Sequence, residues 1–177
     1  MKNKVFVYIS FFVSFFLFIS LYRSWLDLAY WPFWLGGIVG IILPELDQLV
    51  YVFFSNPHEV TSQRVQFLCK NKQFKRCTRL LLSTREERVG LIFHTIYFQA
   101  IFFVLTFWVM TSSISLFGRG IVLAFSLHLM TDQLFEFLEK GDLSSWFSQT
   151  PFSLDRGQTK VMLIVVVLLV LFFGFLL

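Results

Sequence analysis

Charged side chains are scarce in this chain of 177 residues, and their scarcity excludes a soluble domain. Only 15% of the residues are Asp, Glu, Lys or Arg, whereas 56% are hydrophobic and 20% are aromatic. The mean hydropathy of +0.71 is far above that of a soluble globular protein. The composition predicts an all-α membrane protein, a polytopic transmembrane helical bundle of about five spans that forms a single domain over residues 1–177.

Cysteine is nearly absent, which argues against a thiolate metal site. The two cysteines, Cys69 and Cys77, lie eight residues apart, a spacing that matches neither a CxxC redox motif nor a zinc motif. Both fall in a segment that we expect to face the cytoplasm, where disulfides are rare. We therefore expect two ordinary thiols.

The first apolar run, residues 5–22, lacks a signal-peptide cleavage pattern. It follows a short basic N-terminal segment, a pattern that signal peptides and signal anchors share. However, Tyr22, Arg23 and Trp25 stand where small residues would be needed for cleavage. We therefore expect this run to be an anchoring span.

Long apolar runs are abundant and predict five spans, at residues 5–22, 31–54, 89–110, 114–139 and 160–177. The segment 55–88 holds eight Lys or Arg against three Glu, which places it on the cytoplasmic side by the positive-inside rule. The predicted topology has a cytoplasmic N-terminus and an external C-terminus. The predicted location is the inner (plasma) membrane.

The basic loop 55–88 allows three interpretations. Phe67, Phe74 and Leu81 recur at seven-residue spacing among its cations, which suits a helix lying on anionic lipid. A solvated loop that only sets the topology explains the same charges, and we favour it. The excess of positive charge is too modest to favour nucleic acid. We expect membrane lipid, and no nucleic acid, as the partner of the chain.

The second span carries two carboxylates, Glu45 and Asp47, directly after Pro44. An ionisable side chain near mid-membrane costs about 2.5–3.5 kcal/mol, so the pair predicts a bound cation, a proton or a polar partner. On a regular helix the two would point about 200° apart. Because Pro44 removes a backbone hydrogen bond, we expect a local break that turns both toward the bundle. Upstream, Gly36 and Gly40 form a small-xxx-small face for close packing.

Histidines and acids recur at one depth on three predicted spans. Asp47, His94 and Asp132 each lie about six or seven residues from the cytoplasmic end of a span, about 10 Å deep. His128 lies one helical turn before Asp132 and points the same way. Such nitrogen and oxygen ligands suit Zn²⁺, Mn²⁺ or Fe²⁺. We predict a divalent metal site of Asp47, His94, His128 and Asp132, with Glu45 as a further ligand or as the general base.

Several other polar residues are candidates for supporting roles. Glu136 continues the face of the fourth-span ligands and is, beside Glu45, a candidate catalytic base. Arg85 and Arg88 could neutralise a substrate phosphate, although topogenic charge is the role that we favour for them. His58, just past the second span, is expected to be a loop residue.

The order of these motifs resembles a known family. GIILPELDQL is similar to the G-x-x-x-PDxD signature of the bacterial YdjM-like inner-membrane family, which are predicted membrane-bound metal-dependent hydrolases. FHT around His94 resembles the family's THS, LHLMTD resembles its H-x-x-x-D, and WFSQTPFSL is similar to its W-x-PF stretch. The resemblance covers about residues 36–160. Glu45 and Thr95 depart from the family's Asp and Ser, and Arg88 lies too far upstream to match its Arg cleanly. The resemblance implies a shared metal site more than a defined reaction.

The predicted function is hydrolysis of a lipid-linked or membrane-associated ester or phosphoester at the cytoplasmic face. A divalent ion with an open position would lower the pKa of water for this reaction, with Glu45 or Glu136 as the base. Two other classes stay open. A small ion or proton transporter could use the same acids and histidines as a relay, but few polar residues continue toward the other face. A non-enzymatic scaffold could dock lipid or a partner through the basic loop, which would make His128 dispensable.

Overall fold

The fold is helical throughout the part of the chain that the computed structural model describes, residues 2–84, 88, 90–151 and 153–177. These residues form eight α-helices, namely α1 (Lys2–Tyr22), α2 (Trp31–Ile42), α3 (Leu46–Val50), α4 (Val60–Lys70), α5 (Phe74–Ser83), α6 (Ile96–Ser112), α7 (Leu116–Lys140) and α8 (Arg156–Leu176). Two 3-10 turns and a π-helical turn at Tyr51–Ser55 lie in and around the second span. No strand occurs within the described ranges, so the predicted all-α fold is confirmed.

Three helical stretches are long and apolar enough to cross a membrane: Leu28–Ser55, α7 and α8. The apolar part of α1, Phe6–Tyr22, and α6 are shorter. The length and composition of these helices are those of a helical membrane protein. The number of spans, five, stays a prediction.

The centre of the bundle is α7, whose residues 122–133 are all buried. The helix α2 crosses it at very close range. A Cβ atom at Gly36 would lie 2.1 Å from the Phe117 carbonyl oxygen, and one at Gly40 would lie 2.3 Å from the Ile121 carbonyl oxygen. Gly120 on α7 meets the backbone of α2 in the same way. Only glycine permits this approach, so the predicted packing face of Gly36 and Gly40 is confirmed.

Aromatic side chains join the outer helices to this centre. Phe16 of α1 stacks on Phe33 of α2 with ring centroids 4.6 Å apart, and Phe103 of α6 meets Phe173 of α8 edge-on at 5.7 Å. All four belong to one buried cluster that also includes α7. Many other apolar side chains, such as Phe18, point outward, as expected of a surface that faces lipid.

The third predicted span begins later than its apolar pattern indicates. The helix α6 begins at Ile96 rather than near residue 89, because the Thr95 side chain caps it by accepting the N–H of Phe98 at 3.3 Å. Before the cap, Gly90 adopts a left-handed conformation with φ of 82°. His94 therefore lies in a connecting segment and not inside a helix as expected, and its depth of about 10 Å stays a prediction.

The basic loop folds into a pair of helices, α4 and α5, separated by a turn at residues 71–73. Within the turn, Lys72 takes a left-handed conformation with φ of 55°. Phe67 and Phe74 therefore lie on different helices. The single amphipathic helix suggested by their seven-residue spacing is wrong.

Cys69 and Cys77 form a disulfide across this turn, so the expectation of two ordinary thiols is also wrong. The two helices bring their Cα atoms to 5.7 Å, a separation typical of disulfides. The pairing depends on how α4 and α5 fold back on each other. No cysteine spacing motif could have revealed it.

Candidate metal centre

The helix of the second span breaks at Pro44, as the sequence predicts. The helix α2 ends at Ile42, a 3-10 turn follows at Leu43–Glu45, and α3 comes next. Proline lacks the N–H that a continuous helix would require. The break places Asp47 in the interior with 1% of its surface exposed, whereas 33% of the Glu45 side chain is exposed.

Asp47 binds the segment that precedes α6. Its Oδ1 accepts the N–H of Ile92 at 3.1 Å, and its Oδ2 accepts the N–H of Phe93 at 2.6 Å. The Nδ1 atom of His94 lies 3.2 Å from the same Oδ2. Because an ionised carboxylate only accepts hydrogen bonds, this contact favours a proton on Nδ1, and the tautomer with its lone pair on Nε2 is the one that could bind a metal ion. Asp47 thus shapes the segment and orients the ring of His94.

The other face of His94 meets two side chains from α7. Its Nε2 lies 2.9 Å from Asp132 Oδ2, and His128 Nε2 lies 3.3 Å from the same oxygen. One ligand atom from each of the three residues falls within 4.8 Å of the others. His128 and Asp132 share a helix face because they are one turn apart. The structure therefore brings together three of the predicted metal ligands, and we name this group the His-His-Asp cluster.

The two remaining predicted ligands lie beside the cluster. Asp47 is on the Nδ1 side of His94, away from the Nε2 atom that meets Asp132. Glu45 Oε1 is 3.7 Å from His128 Nε2, and Glu45 Oε2 accepts a hydrogen bond from Gln48 at 2.6 Å. Direct ligation by Asp47 or Glu45 stays a prediction.

Arg88 is buried near these residues. Its Nη1 donates to Gln48 Oε1 at 3.0 Å and to a carbonyl of α5 at 2.8 Å, and its Nη2 donates to Thr84 Oγ1 at 2.7 Å. Since Gln48 also donates to Glu45, Arg88 begins a chain of hydrogen bonds that leads to Glu45, beside the cluster. The structure thus gives Arg88 contacts beyond topogenic charge. Arg85, its predicted companion, lies outside the described residues.

Tyr8 of α1 is a site residue that the sequence analysis missed. Its hydroxyl group donates to Asp132 Oδ1. Its ring lies 5.4 Å from the His128 ring, measured between centroids. The available signal is a phenol within a hydrophobic first span, for which the sequence predicts only an anchoring role. The first helix therefore closes one side of the cluster.

Glu136 lies one turn beyond Asp132 and holds the connection between α7 and α8. Its carboxylate accepts hydrogen bonds from Ser145 Oγ at 2.5 and 2.6 Å, Trp146 Nε1 at 3.0 Å and Lys140 Nζ at 3.0 Å. The Trp146 ring in turn packs against His94, with ring centroids 5.6 Å apart. These contacts make Glu136 a support for the wall of the site. The role of Glu136 as a catalytic base stays a prediction.

The chemistry of the His-His-Asp cluster fits a divalent metal. Two imidazoles and one carboxylate form a three-ligand set of the kind that leaves a coordination position open in catalytic zinc sites. Both ring nitrogens of His128 are shut off from solvent and make no hydrogen bond within the described residues, although Nε2 has ion-pair contacts with Asp132 and Glu45. A buried polar group without a partner is costly, and a cation coordinated by one of these nitrogens would remove part of that cost. The cluster could therefore hold a metal ion.

Comparisons of the chain with protein-family models, with curated proteins and with solved structures find no match. The resemblance to the YdjM-like family therefore rests on the short motifs around Glu45, His94 and His128, and it stays a prediction. The function must be inferred from the geometry of the site.

Proposed function

We propose that this chain is a membrane-bound metal-dependent hydrolase that acts on a lipid-linked or membrane-associated ester or phosphoester. The observation that carries the proposal is the convergence of His94, from the segment before α6, with His128 and Asp132 of α7. Asp47 stands behind His94 in the carboxylate–histidine arrangement typical of metal sites, where it orients the ring and raises its basicity.

In this proposal the cluster holds Zn²⁺, Mn²⁺ or Fe²⁺ through His94 Nε2, His128 Nε2 and the Asp132 carboxylate. When bound, such an ion supplies Lewis acidity and a water of lowered pKa. Tyr8 binds Asp132 Oδ1, which leaves Oδ2 directed at the two histidines. Each protein group therefore has a defined orientation before a substrate arrives.

Glu45 is the general base in this proposal. Gln48 occupies its Oε2 with a 2.6 Å hydrogen bond, and Oε1 faces His128 at 3.7 Å. Oε1 is thus positioned to take a proton from a water molecule in the site. The partial exposure of Glu45 also provides a route for solvent, whereas Asp47 is almost completely buried.

We propose that the chain lies in the inner (plasma) membrane with its N-terminus in the cytoplasm. The charge excess of the segment 55–88, eight cations less three acids for a net of +5, supports this orientation. The disulfide between Cys69 and Cys77 argues for the opposite orientation, because disulfides persist in oxidising compartments. We base the proposed orientation on the charge excess.

A transporter would need a polar path from the cluster to the other face of the membrane. Buried polar pairs do occur between α6 and α7: the side-chain amides of Gln99 and Gln133 bind each other at 3.1 and 2.7 Å, and Thr106 and Ser126 lie 3.2 Å apart. The two side chains of each pair bind each other. Such pairs are typical of polar residues that hold membrane helices together. We therefore rank the transporter below the hydrolase.

Elemental analysis of the purified protein tests the proposal. After repletion with Zn²⁺, Mn²⁺ or Fe²⁺, we expect about one ion per chain, since the three ligands form one site. His128→Ala and Asp132→Asn should lose the ion, and the matched control His58→Ala, at a loop histidine, should keep it. A metal-loaded parent would then be screened for release of phosphate or fatty acid from membrane lipids. A folded parent that binds no ion would overturn the hydrolase proposal.

A further inference from the structure

The helices α4 and α5, which we name the basic hairpin (residues 60–83), carry charge of one sign only. The hairpin holds six cations and no Asp or Glu, the cations being Arg64, Lys70, Lys72, Lys75, Arg76 and Arg79. Ser55, at the end of a helical stretch long enough to cross a membrane, precedes the hairpin, and α6 follows it. The hairpin therefore lies at the end of the bundle, where a membrane would meet water.

An open groove runs along the basic hairpin, with a volume of about 740 Å³. Its lining combines two cations, Arg64 and Lys70, with apolar side chains that include Phe67 and Leu80. No acid is among the lining residues, and neither cation has an ion-pair partner among the described residues. The groove thus offers positive charge and apolar surface to the same ligand.

Aromatic side chains near the turn extend this apolar surface. Phe67 is 65% exposed and Phe74 is 64% exposed, one on each side of residues 71–73. Large apolar side chains held in water forgo the stabilisation that burial would bring. Cationic surface interspersed with exposed Phe is typical of a segment that inserts its apolar side chains into a lipid interface while its charges meet anionic headgroups.

The basic hairpin is also held firmly against the bundle. Val65 and Cys77 are buried with Tyr51 and Val52, which belong to the end of the second span. Gln66 Nε2 donates to the Val52 carbonyl at 2.7 Å. A surface fixed in this way loses little conformational freedom when a ligand binds.

We propose that the groove of the basic hairpin binds an anionic phospholipid of the surrounding membrane. Arg64 and Lys70 contact the headgroup phosphate, while Phe67 and Leu80 contact the first part of an acyl chain. Charge complementarity selects an anionic lipid over phosphatidylcholine, whose choline cancels the phosphate charge. This site is distinct from the His-His-Asp cluster and does not depend on its chemistry.

Hydrogen–deuterium exchange of the full-length protein in lipid nanodiscs tests the proposal. Amides of residues 60–83 should exchange more slowly when phosphatidylglycerol replaces part of the phosphatidylcholine. Titrating the fraction of phosphatidylglycerol gives the fraction at which half of this protection is reached. Each Lys or Arg at an anionic surface strengthens binding about fivefold, so neutralising both cations in Arg64→Gln/Lys70→Gln should weaken it about 25-fold. The protection should also fall as salt rises to about 0.5 M.

Two variants distinguish a specific lipid site from general attraction between a cationic protein and an anionic membrane. Lys160→Gln, at an exposed cation on α8, should leave the titration unchanged, and Phe67→Ser should weaken binding even at high salt because it removes apolar contact. Equal exchange in both lipid compositions would overturn the proposal. So would equal protection by inorganic phosphate in phosphatidylcholine nanodiscs, which would show a soluble anion rather than a lipid as the ligand.

Discussion

Replacing Asp47 with Asn would test how the site is built, because the two side chains have the same shape but not the same acceptors. The carboxylate of Asp47 accepts the N–H groups of Ile92 and Phe93 and contacts His94 Nδ1. An amide has one acceptor oxygen, and its NH₂ group would face a backbone N–H. At least one of the three donors would lose its partner in a buried position.

The expected loss in the free energy of unfolding follows from these contacts. A hydrogen bond to a charged group contributes about 1.5–3 kcal/mol, so we expect Asp47→Asn to lower the free energy of unfolding by about 3 kcal/mol. For a chain of this size that change lowers the melting temperature by about 6–12 °C. Because Asn no longer orients the His94 ring with a carboxylate, metal affinity should also fall about 10- to 100-fold.

Two assays measure these effects separately. Scanning fluorimetry of the metal-free protein reports the loss of stability, and competition with a chelator reports the metal affinity. The matched control is Asp142→Asn, since Asp142 accepts two hydrogen bonds from Ser144 in an exposed turn. The control should stay within about 0.5 kcal/mol of the parent. If Asp47→Asn matched its control in both assays, the inferred role of Asp47 would be refuted.

Three further predictions concern the bundle and the basic hairpin. Gly40→Ala should destabilise the protein by about 1–3 kcal/mol, because its Cβ would lie 2.3 Å from a carbonyl oxygen of α7. Gly118→Ala, whose Cβ would meet its nearest side chain at 3.6 Å, is the control. Gln99→Leu alone should cost about 1–3 kcal/mol, since it leaves Gln133 buried without its amide partner, whereas the double Leu variant should recover most of that loss. In denatured protein isolated under thiol-blocking conditions, Cys69 should react with maleimide only after reduction.

Each of these outcomes can contradict the structure. Equal melting temperatures for Gly40→Ala and Gly118→Ala would mean that α2 and α7 are not so close. A double Leu variant less stable than either single variant would rule out the paired amides. Reaction of Cys69 without reduction would show a free thiol and would remove the argument against a cytoplasmic basic hairpin.

The sequence determined the class of fold and most of the site residues. Long apolar runs with few charges are stable in a bilayer as helices, because a helix satisfies its backbone polar groups within its own segment. The break at Pro44 followed from the missing N–H, and the shared face of His128 and Asp132 followed from helical periodicity. The close crossing at Gly36 and Gly40 followed from the absence of a side chain.

The tertiary structure decided the features that depend on which segments meet. Tyr8 joins the site only because α1 packs beside His128, and apolar periodicity carries no information about that pairing. His94 lies outside the helix because Thr95 caps α6 just after it and Asp47, 47 residues earlier, binds the two N–H groups just before it. The disulfide between Cys69 and Cys77 likewise requires α5 to fold back on α4. Local patterns determine which segments are helical, whereas contacts between distant residues determine which polar atoms face one another.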